Sequence, residues 1–154
     1  MDYCPYGECI LFGQDDAPPE LAPLLREAVE RHVRDYDVTE FVVGGHGAFD
    51  RMAADAVRGV QQLDPEVRMY LLSYAYNDDT ERFVPDHDGL FFPEDFYELP
   101  PEQARPLATK LVLPECTHAI VYVDGTQSRW AQVYKLARKQ EARGLLRLTS
   151  LIVP

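Results

Sequence analysis

The stretch from Glu40 to Val60 (EFVVGGHGAFDRMAADAVRGV) constrains the fold more than any other part of the chain. It begins with an apolar run, 41–43, and a glycine-rich turn, 44–47, follows. Apolar side chains then recur at offsets of 0, 3, 4, 7, 8 and 11, which predicts an amphipathic helix with Phe49, Met52, Ala53, Ala56, Val57 and Val60 on one face. A strand, a glycine turn and a helix in this order present backbone N–H groups that suit a phosphate or a carboxylate.

This turn also has a purely structural interpretation. Gly44 or Gly45 can supply the positive φ of a tight turn, and Asp50 can stabilise the start of the helix. The dinucleotide-binding pattern is not matched, because Asp50 stands three residues after Gly47 where a glycine is required. No Lys-Ser or Lys-Thr pair of a P-loop follows either. The turn therefore predicts an anion or nucleotide pocket without specifying a reaction.

The whole chain has the composition of a globular protein. Its 154 residues are enough for one self-sufficient core, so we predict a single domain over 1–154. No run of about 18 apolar residues exists, and the N-terminus lacks the features of a signal peptide, which predicts a cytoplasmic protein without a membrane partner. The net charge of −11 disfavours nucleic acid as a partner.

Cysteine spacing gives no sign of a metal site. Cys4 and Cys9 are five residues apart, which is not the spacing of a zinc-binding pair, and Cys116 lies far away in the sequence. We therefore expect no metal and no cofactor.

Five apolar runs alternate with helical patterns along the chain. This order predicts an α/β fold, a Rossmann-like, doubly wound, mainly parallel five-stranded sheet with helices on both faces. The predicted strands are 9–12, 41–43, 67–74, 117–123 and 148–153. The segment 77–101 is acidic, proline-rich and aromatic without a clear period, so we predict an irregular flap beside the pocket.

A second polar turn also follows a strand and precedes a helix. It contains Gly125, Thr126, Ser128 and Arg129. Both turns are expected at the carboxyl edge of the sheet, where open α/β sheets bind ligands. Thr126 or Ser128 can donate to a phosphate or can simply cap the helix.

Three segments, ILFGQDDAP, FVVGGHGAFDRMAADAV and THAIVYVDGTQSRWAQ, resemble an uncharacterised bacterial branch of the SLOG superfamily. These are Rossmann-like proteins related to the LOG phosphoribohydrolases. The resemblance implies a nucleotide-derived ligand at the two turns and, by position, involves Gly13, Gln14, Gly44, Gly45, Gly47 and Asp50. The predicted ligand-binding set is completed by His46, Phe49, Gly125, Thr126, Ser128 and Arg129.

These observations leave three functional hypotheses. LOG enzymes carry a glycine-rich turn followed by a glutamate, and no such glutamate follows Ser128, which favours a nucleotide-binding protein without turnover. The alternative is an N-glycosidic hydrolase acting on nucleoside monophosphates, with Asp50, Asp124, Glu94 or Glu98 as its carboxylate. The second alternative is a non-catalytic interaction scaffold. Self-association into a homo-oligomer is compatible with each hypothesis.

Overall fold

The computed structural model of the chain describes residues 8–72, 88–91, 99–124 and 128–152. The strands are β1 (Glu8–Gly13), β2 (Glu40–Val43), β3 (Arg68–Leu72), β4 (Gly89–Phe91), β5 (His118–Tyr122) and β6 (Arg147–Ser150). The helices are α1 (Leu21–Tyr36), α2 (Gly47–Gln61), α3 (Pro101–Val112) and α4 (Ser128–Ala142), and a 3₁₀ turn, Leu113–Glu115, follows α3.

The strands form one sheet in the order β4-β3-β2-β1-β5-β6, and every neighbouring pair is parallel. The predicted Rossmann-like, doubly wound parallel fold is confirmed, and each of the five predicted strands is present. β4 is a sixth strand of three residues, within the segment 77–101 that the sequence predicted as irregular. Most of that segment lies outside the described residues.

The helices cover both faces of the sheet because each carries one apolar stripe. One core cluster joins side chains of α1 and α2 to the sheet, and a second cluster joins α3 and α4 to the opposite face. β1 lies at the centre and is buried along its whole length. A strand covered on both faces is a continuous apolar run, which explains the sequence Cys9–Phe12.

The direction of winding changes at β1. The chain builds β2, β3 and β4 on one side of β1 and then places β5 and β6 on the other side. β1 and β5 are neighbours, but the loop after β1 leads to a helix on one face of the sheet and the loop after β5 leads to a helix on the other face. The two loops therefore separate at the carboxyl edge. This is the topological switch point at which doubly wound sheets form a crevice.

Within the described ranges, no helix is long and apolar enough to cross a membrane. The same ranges hold no group of three or more His, Cys, Asp or Glu residues placed to bind a metal ion. Cys9 and Cys116 are buried free thiols whose pKa is raised by burial, while Cys4 lies outside the described residues.

Candidate functional site

The glycine turn after β2 packs directly on the loop after β1. Gly47, the first residue of α2, has a φ of +92°, and a Cβ there would lie 3.0 Å from the Cα of Asp15. The Ala48 N–H donates to the backbone oxygen of Asp15 over 2.8 Å. Only glycine combines this left-handed conformation with so close an approach. The two loops are thus held against each other at the carboxyl edge.

A buried ion pair lies directly beneath this turn. Asp50 Oδ2 accepts from Arg105 Nε at 2.9 Å, and Asp50 Oδ1 accepts from Arg105 Nη2 at 3.0 Å. Arg105 has no exposed surface and Asp50 retains only 3%. The pair joins α2 to α3 across the sheet edge. Its two parallel hydrogen bonds are the strong bidentate geometry of guanidinium and carboxylate.

The remaining surface of the Arg105 guanidinium is also engaged. Nη1 donates to the Thr109 hydroxyl one turn further along α3, and Nη2 donates to the Leu11 backbone oxygen at 3.2 Å. The Trp130 ring lies 5.4 Å from the guanidinium carbon, within the range of a cation–π contact. Arg105 therefore links Asp50 to residues of α3, β1 and α4. These contacts compensate the cost of burying its charge.

This ion pair explains why residue 44 is a glycine. A Cβ at Gly44 would lie 1.9 Å from Arg105 Nε and 2.3 Å from Asp50 Oδ2. The backbone N–H of His46 donates to the same Asp50 oxygen at 3.1 Å. Asp50 thus holds the turn from below, with both of its oxygens engaged by protein groups.

A cleft of about 260 Å³ opens beside the turn, where α2 passes the ends of β2 and β3. It is lined by Gly44, Gly45, Gly47, Asp50, Arg51, Ala54, Arg58 and Leu71. Arg51 and Arg58 are seven residues apart and share one face of α2. Arg58 pairs with Asp55 at 3.2 Å, whereas no residue in the described part of the chain pairs with Arg51.

The positive character of the cleft comes chiefly from these arginines. The N-terminus of α2 adds its partial charge, but two of its N–H donors already have protein acceptors, His46 with Asp50 and Ala48 with Asp15. An anion in this cleft would therefore rely on Arg51, Arg58 and the exposed backbone around Gly45.

An accessible carboxylate–imidazole pair lies at the same turn. Asp15 Oδ2 and His46 Nε2 are 3.5 Å apart, and the two side chains are 27% and 34% exposed. Burial is the largest effect on the Asp15 carboxyl and raises its pKa, and Asp50 raises it further. His46, Arg105 and Trp130 act in the opposite direction. The net result is a raised pKa for the Asp15 carboxyl, with burial as its main cause.

The switch point between β1 and β5 is closed by Gln14, which is 2% exposed. Its side-chain oxygen accepts from the Asp124 N–H at 2.8 Å, and its amide donates to Asp16 at 3.2 Å. Its backbone N–H donates to the Tyr122 oxygen at 3.1 Å. Gln14 joins the two loops that flank the crevice, so its amide is occupied by protein groups.

The predicted site residues therefore fall into separate groups. Gly44, Gly45, His46, Gly47 and Asp50 come together at the first turn. Gly13 and Phe49 are structural: a Cβ on Gly13 would lie 2.6 Å from the Phe49 ring.

No described residue of the second predicted turn lines this cleft. Gly125 and Thr126 lie outside the described residues, and Ser128 is the first residue of α4. Arg129 lines a different cleft, of about 400 Å³, together with Lys110 of α3. Of the described residues, those of the first turn form the candidate site.

Sequence reasoning missed Arg105, Asp15 and the two arginines of the cleft. The sequence could have predicted that Arg105 is buried, because Arg105 stands beside Ala104 and near Ala108 on the apolar side of α3. A charged residue on a buried face needs a partner, and Asp50 has the same property on α2. Asp15 carries no such signal, since a polar loop residue is ordinary.

Comparison of the chain with protein-family models and with curated proteins finds no match. The similarity to SLOG proteins stays a prediction, and a Rossmann-like fold by itself is compatible with many activities. The functional argument accordingly depends on the first turn and its cleft.

Proposed function

We propose that the protein binds a phosphorylated, nucleotide-like small molecule with its phosphate in the cleft beside the first glycine turn. The observation that carries this proposal is the pair Arg51 and Arg58 on the cleft wall, with Arg51 near the N-terminus of α2 and Arg58 in its last turn. A chain with a net charge of −11 has a local positive site here. Such a site attracts small anions, since opposite charges focused in a cleft raise local ligand concentration.

Phosphate suits this cleft better than a carboxylate of similar size. A guanidinium donates two parallel hydrogen bonds to phosphate oxygens, and two arginines about two turns apart on one face of a helix can approach different oxygens. Arg51 has no competing acid among the described residues, so it can turn to a ligand without breaking an ion pair. Arg58 would exchange its solvent-exposed contact with Asp55, which costs little.

The cleft volume of about 260 Å³ lies just below the usual range of about 300–1,000 Å³ for pockets that enclose a drug-sized ligand. It therefore suits a phosphate with an attached sugar better than a complete dinucleotide. The resemblance of the turn to SLOG proteins supports a nucleotide-type ligand. We propose SLOG membership on the same basis.

The test is isothermal titration calorimetry with adenosine 5′-monophosphate, ribose 5-phosphate, adenosine and inorganic phosphate. We expect the two sugar phosphates to bind and adenosine, which lacks the phosphate, to bind at least about tenfold more weakly, corresponding to about 1.4 kcal/mol. Arg51→Gln should lower the affinity for both phosphates about tenfold. Arg34→Gln, on an exposed arginine at the end of α1, is the matched control and should leave affinity unchanged.

Gly45→Asp provides an independent test. A Cβ there would lie 3.3 Å from Leu71 Cδ1, so the substitution fits with a small adjustment and places a carboxylate in the cleft. We expect phosphate binding to be lost while the melting temperature stays within a few degrees. Equal binding of adenosine and its monophosphate, or unchanged affinity in Arg51→Gln and Gly45→Asp, would overturn the proposal. Failure of all four compounds to bind would overturn it and favour the interaction scaffold.

A further inference from the structure

The residues that α2 contributes to the arginine-lined cleft recur at helical spacing. They are Gly47, Asp50, Arg51, Ala54 and Arg58, at offsets of 0, 3, 4, 7 and 11 from the first residue of the helix. Positions three or four apart share one face of a helix, so the cleft runs along α2 from its first residue to its last turn. A cleft of this length has two ends, and the chemistry of each end can be read separately.

Both ends of the cleft are cationic, and the wall between them is apolar. The end at the glycine turn carries Arg51 and the backbone of Gly45, and the far end carries Arg58. Between the two arginines the wall is formed by Ala54, which is 6% exposed and has no hydrogen-bonding side chain. Leu71 of β3 adds apolar surface to the same cleft. A ligand that matches this pattern is charged at both ends and uncharged between them.

The guanidinium of Arg58 is held at a distance from the glycine turn. Its Nη1 donates to Oδ1 of Asp55 at 3.2 Å, so the group lies beside that residue. Asp55 stands eight residues after Gly47, which corresponds to about 12 Å along the helix axis. Hydrogen bonds to the ligand take up about 3 Å at each end. About 6 Å therefore remain to be spanned by atoms of the ligand.

A single phosphate group cannot span this distance, because all of its oxygens are bonded to one phosphorus atom. A sugar with a phosphate on either side of the ring can. We propose that the cleft recognises a sugar that carries two separate phosphates, one bound at the glycine turn and Arg51 and the other bound at Arg58. This inference rests on the proposed function, to which it adds a second phosphate and the separation of the two.

Arg58 has donors available for the second phosphate. Among the described residues, only its Nη1 has an acceptor. Nε and Nη2 form the edge of a guanidinium that binds two phosphate oxygens in parallel. The side chains of Arg58 and Asp55 are 40% and 69% exposed, so Arg58 can also exchange this contact for a phosphate at little cost.

The experiment is isothermal titration calorimetry of the full chain with adenosine 3′,5′-bisphosphate, adenosine 5′-diphosphate and adenosine 5′-monophosphate. The first two are isomers, but the diphosphate carries its phosphates next to each other on one side of the ribose. We expect the 3′,5′-bisphosphate to bind at least about tenfold more tightly than either of the others, because only it can contact both ends of the cleft. The diphosphate is the matched control for charge, since a general attraction for anions would favour both isomers equally.

A second pair of ligands distinguishes the two sources of this chemistry, sugar bisphosphates and nucleoside bisphosphates. Ribose 1,5-bisphosphate is compared with ribose 5-phosphate, which repeats the test without a base. A gain of at least about tenfold in this pair supports recognition of the sugar and its phosphates alone. A gain only in the adenosine series supports a nucleoside bisphosphate as the ligand.

Variants assign the two phosphates to the two ends. Arg58→Gln should remove the advantage of the 3′,5′-bisphosphate, so that it binds within about threefold of the monophosphate. Arg51→Gln should weaken the binding of both nucleotides and preserve the ratio of their affinities. Arg34→Gln, on an exposed arginine outside the cleft, should preserve both affinities. Because the Arg58 side chain is 40% exposed, its substitution should leave the melting temperature within a few degrees of wild type.

The outcomes separate this inference from the proposed function. Equal affinity of the two isomers overturns the second phosphate site, and binding of the monophosphate in the same titrations leaves the proposed function intact. A preference for the 3′,5′-bisphosphate that persists in Arg58→Gln overturns the assignment of its second phosphate to Arg58. Failure of every phosphate to bind overturns the proposed function and this inference together.

Discussion

The Asp50–Arg105 ion pair predicts that Asp50→Asn is strongly destabilising although it changes only one atom. The amide removes the charge that compensates a fully buried guanidinium, and it turns an NH₂ group toward the N–H donors of Arg105. Breaking one partner of a buried ion pair costs about 3–5 kcal/mol. For a chain of this size, each kcal/mol lowers the melting temperature by about 2–4 °C, so the expected shift is about 6–20 °C.

The measurement is urea denaturation at neutral pH together with thermal unfolding followed by circular dichroism. Asp55→Asn is the matched control, because it removes a carboxylate from the same helix at a position that is 69% exposed. An exposed pair of this kind contributes about 0–1 kcal/mol. The double variant Asp50→Leu with Arg105→Met removes both charges and should cost far less than the sum of the single changes.

A cost for Asp50→Asn below about 1 kcal/mol, equal to that of Asp55→Asn, would refute the reasoning. Strict additivity in the double variant would refute it as well, because the two charges would then be independent. A stable Asp50→Asn protein that lost affinity for sugar phosphates would instead assign Asp50 to the ligand.

Further predictions concern stability. Glu8 is fully buried with both carboxylate oxygens unpartnered among the described residues; burial, Glu40 and Glu115 raise its pKa to about 7 from 4.5. The folded state therefore holds a proton that the unfolded state releases between these values, and this contribution to stability is lost as pH rises. In urea titrations, the free energy of unfolding of Glu8→Gln relative to that of wild type should rise by up to about 3 kcal/mol between pH 4.5 and pH 7. A difference between variant and wild type that is the same at both pH values would contradict this. Burial of His32 lowers its pKa to about 4 from 6.5, so the stability that its neutral form contributes is lost as pH falls. The free energy of unfolding of His32→Gln relative to that of wild type should therefore rise as the pH is lowered. Gly44→Ala should destabilise by several kcal/mol, because its Cβ would overlap Arg105, whereas Gly144→Ala, with open space and a φ of +73°, should cost only about 1 kcal/mol in the same assay.

The alternation of strands and helices was readable because burial follows a local period. A strand covered on both faces is a continuous apolar run, and a covered helix repeats its apolar residues every three or four positions. β4 escaped this reasoning, because three residues carry no period. The identity of the strand neighbours, with β5 beside β1, was likewise not fixed by any local pattern.

The sequence predicted the location of the candidate site at the glycine turn, but it did not predict the contacts that its residues make. The sequence directed attention to Gly44–Gly47, and the described part of the structure has its arginine-lined cleft there. It also treated Asp50 as a ligand contact, whereas the structure buries both of its oxygens against a residue 55 positions away. The reason for Gly44 followed only once that partner was known.

The sequence by itself therefore determined the class of fold, the edge of the sheet that carries the candidate site, and the turn at its centre. These depend on hydrophobic period and turn chemistry, which neighbouring residues encode. Only the tertiary structure decided that Asp50 pairs with Arg105, that Asp15 faces His46, and that Arg51 and Arg58 border one cleft. Pairings between charges on different elements depend on how the helices pack on the sheet, and that packing is set by the whole core at once.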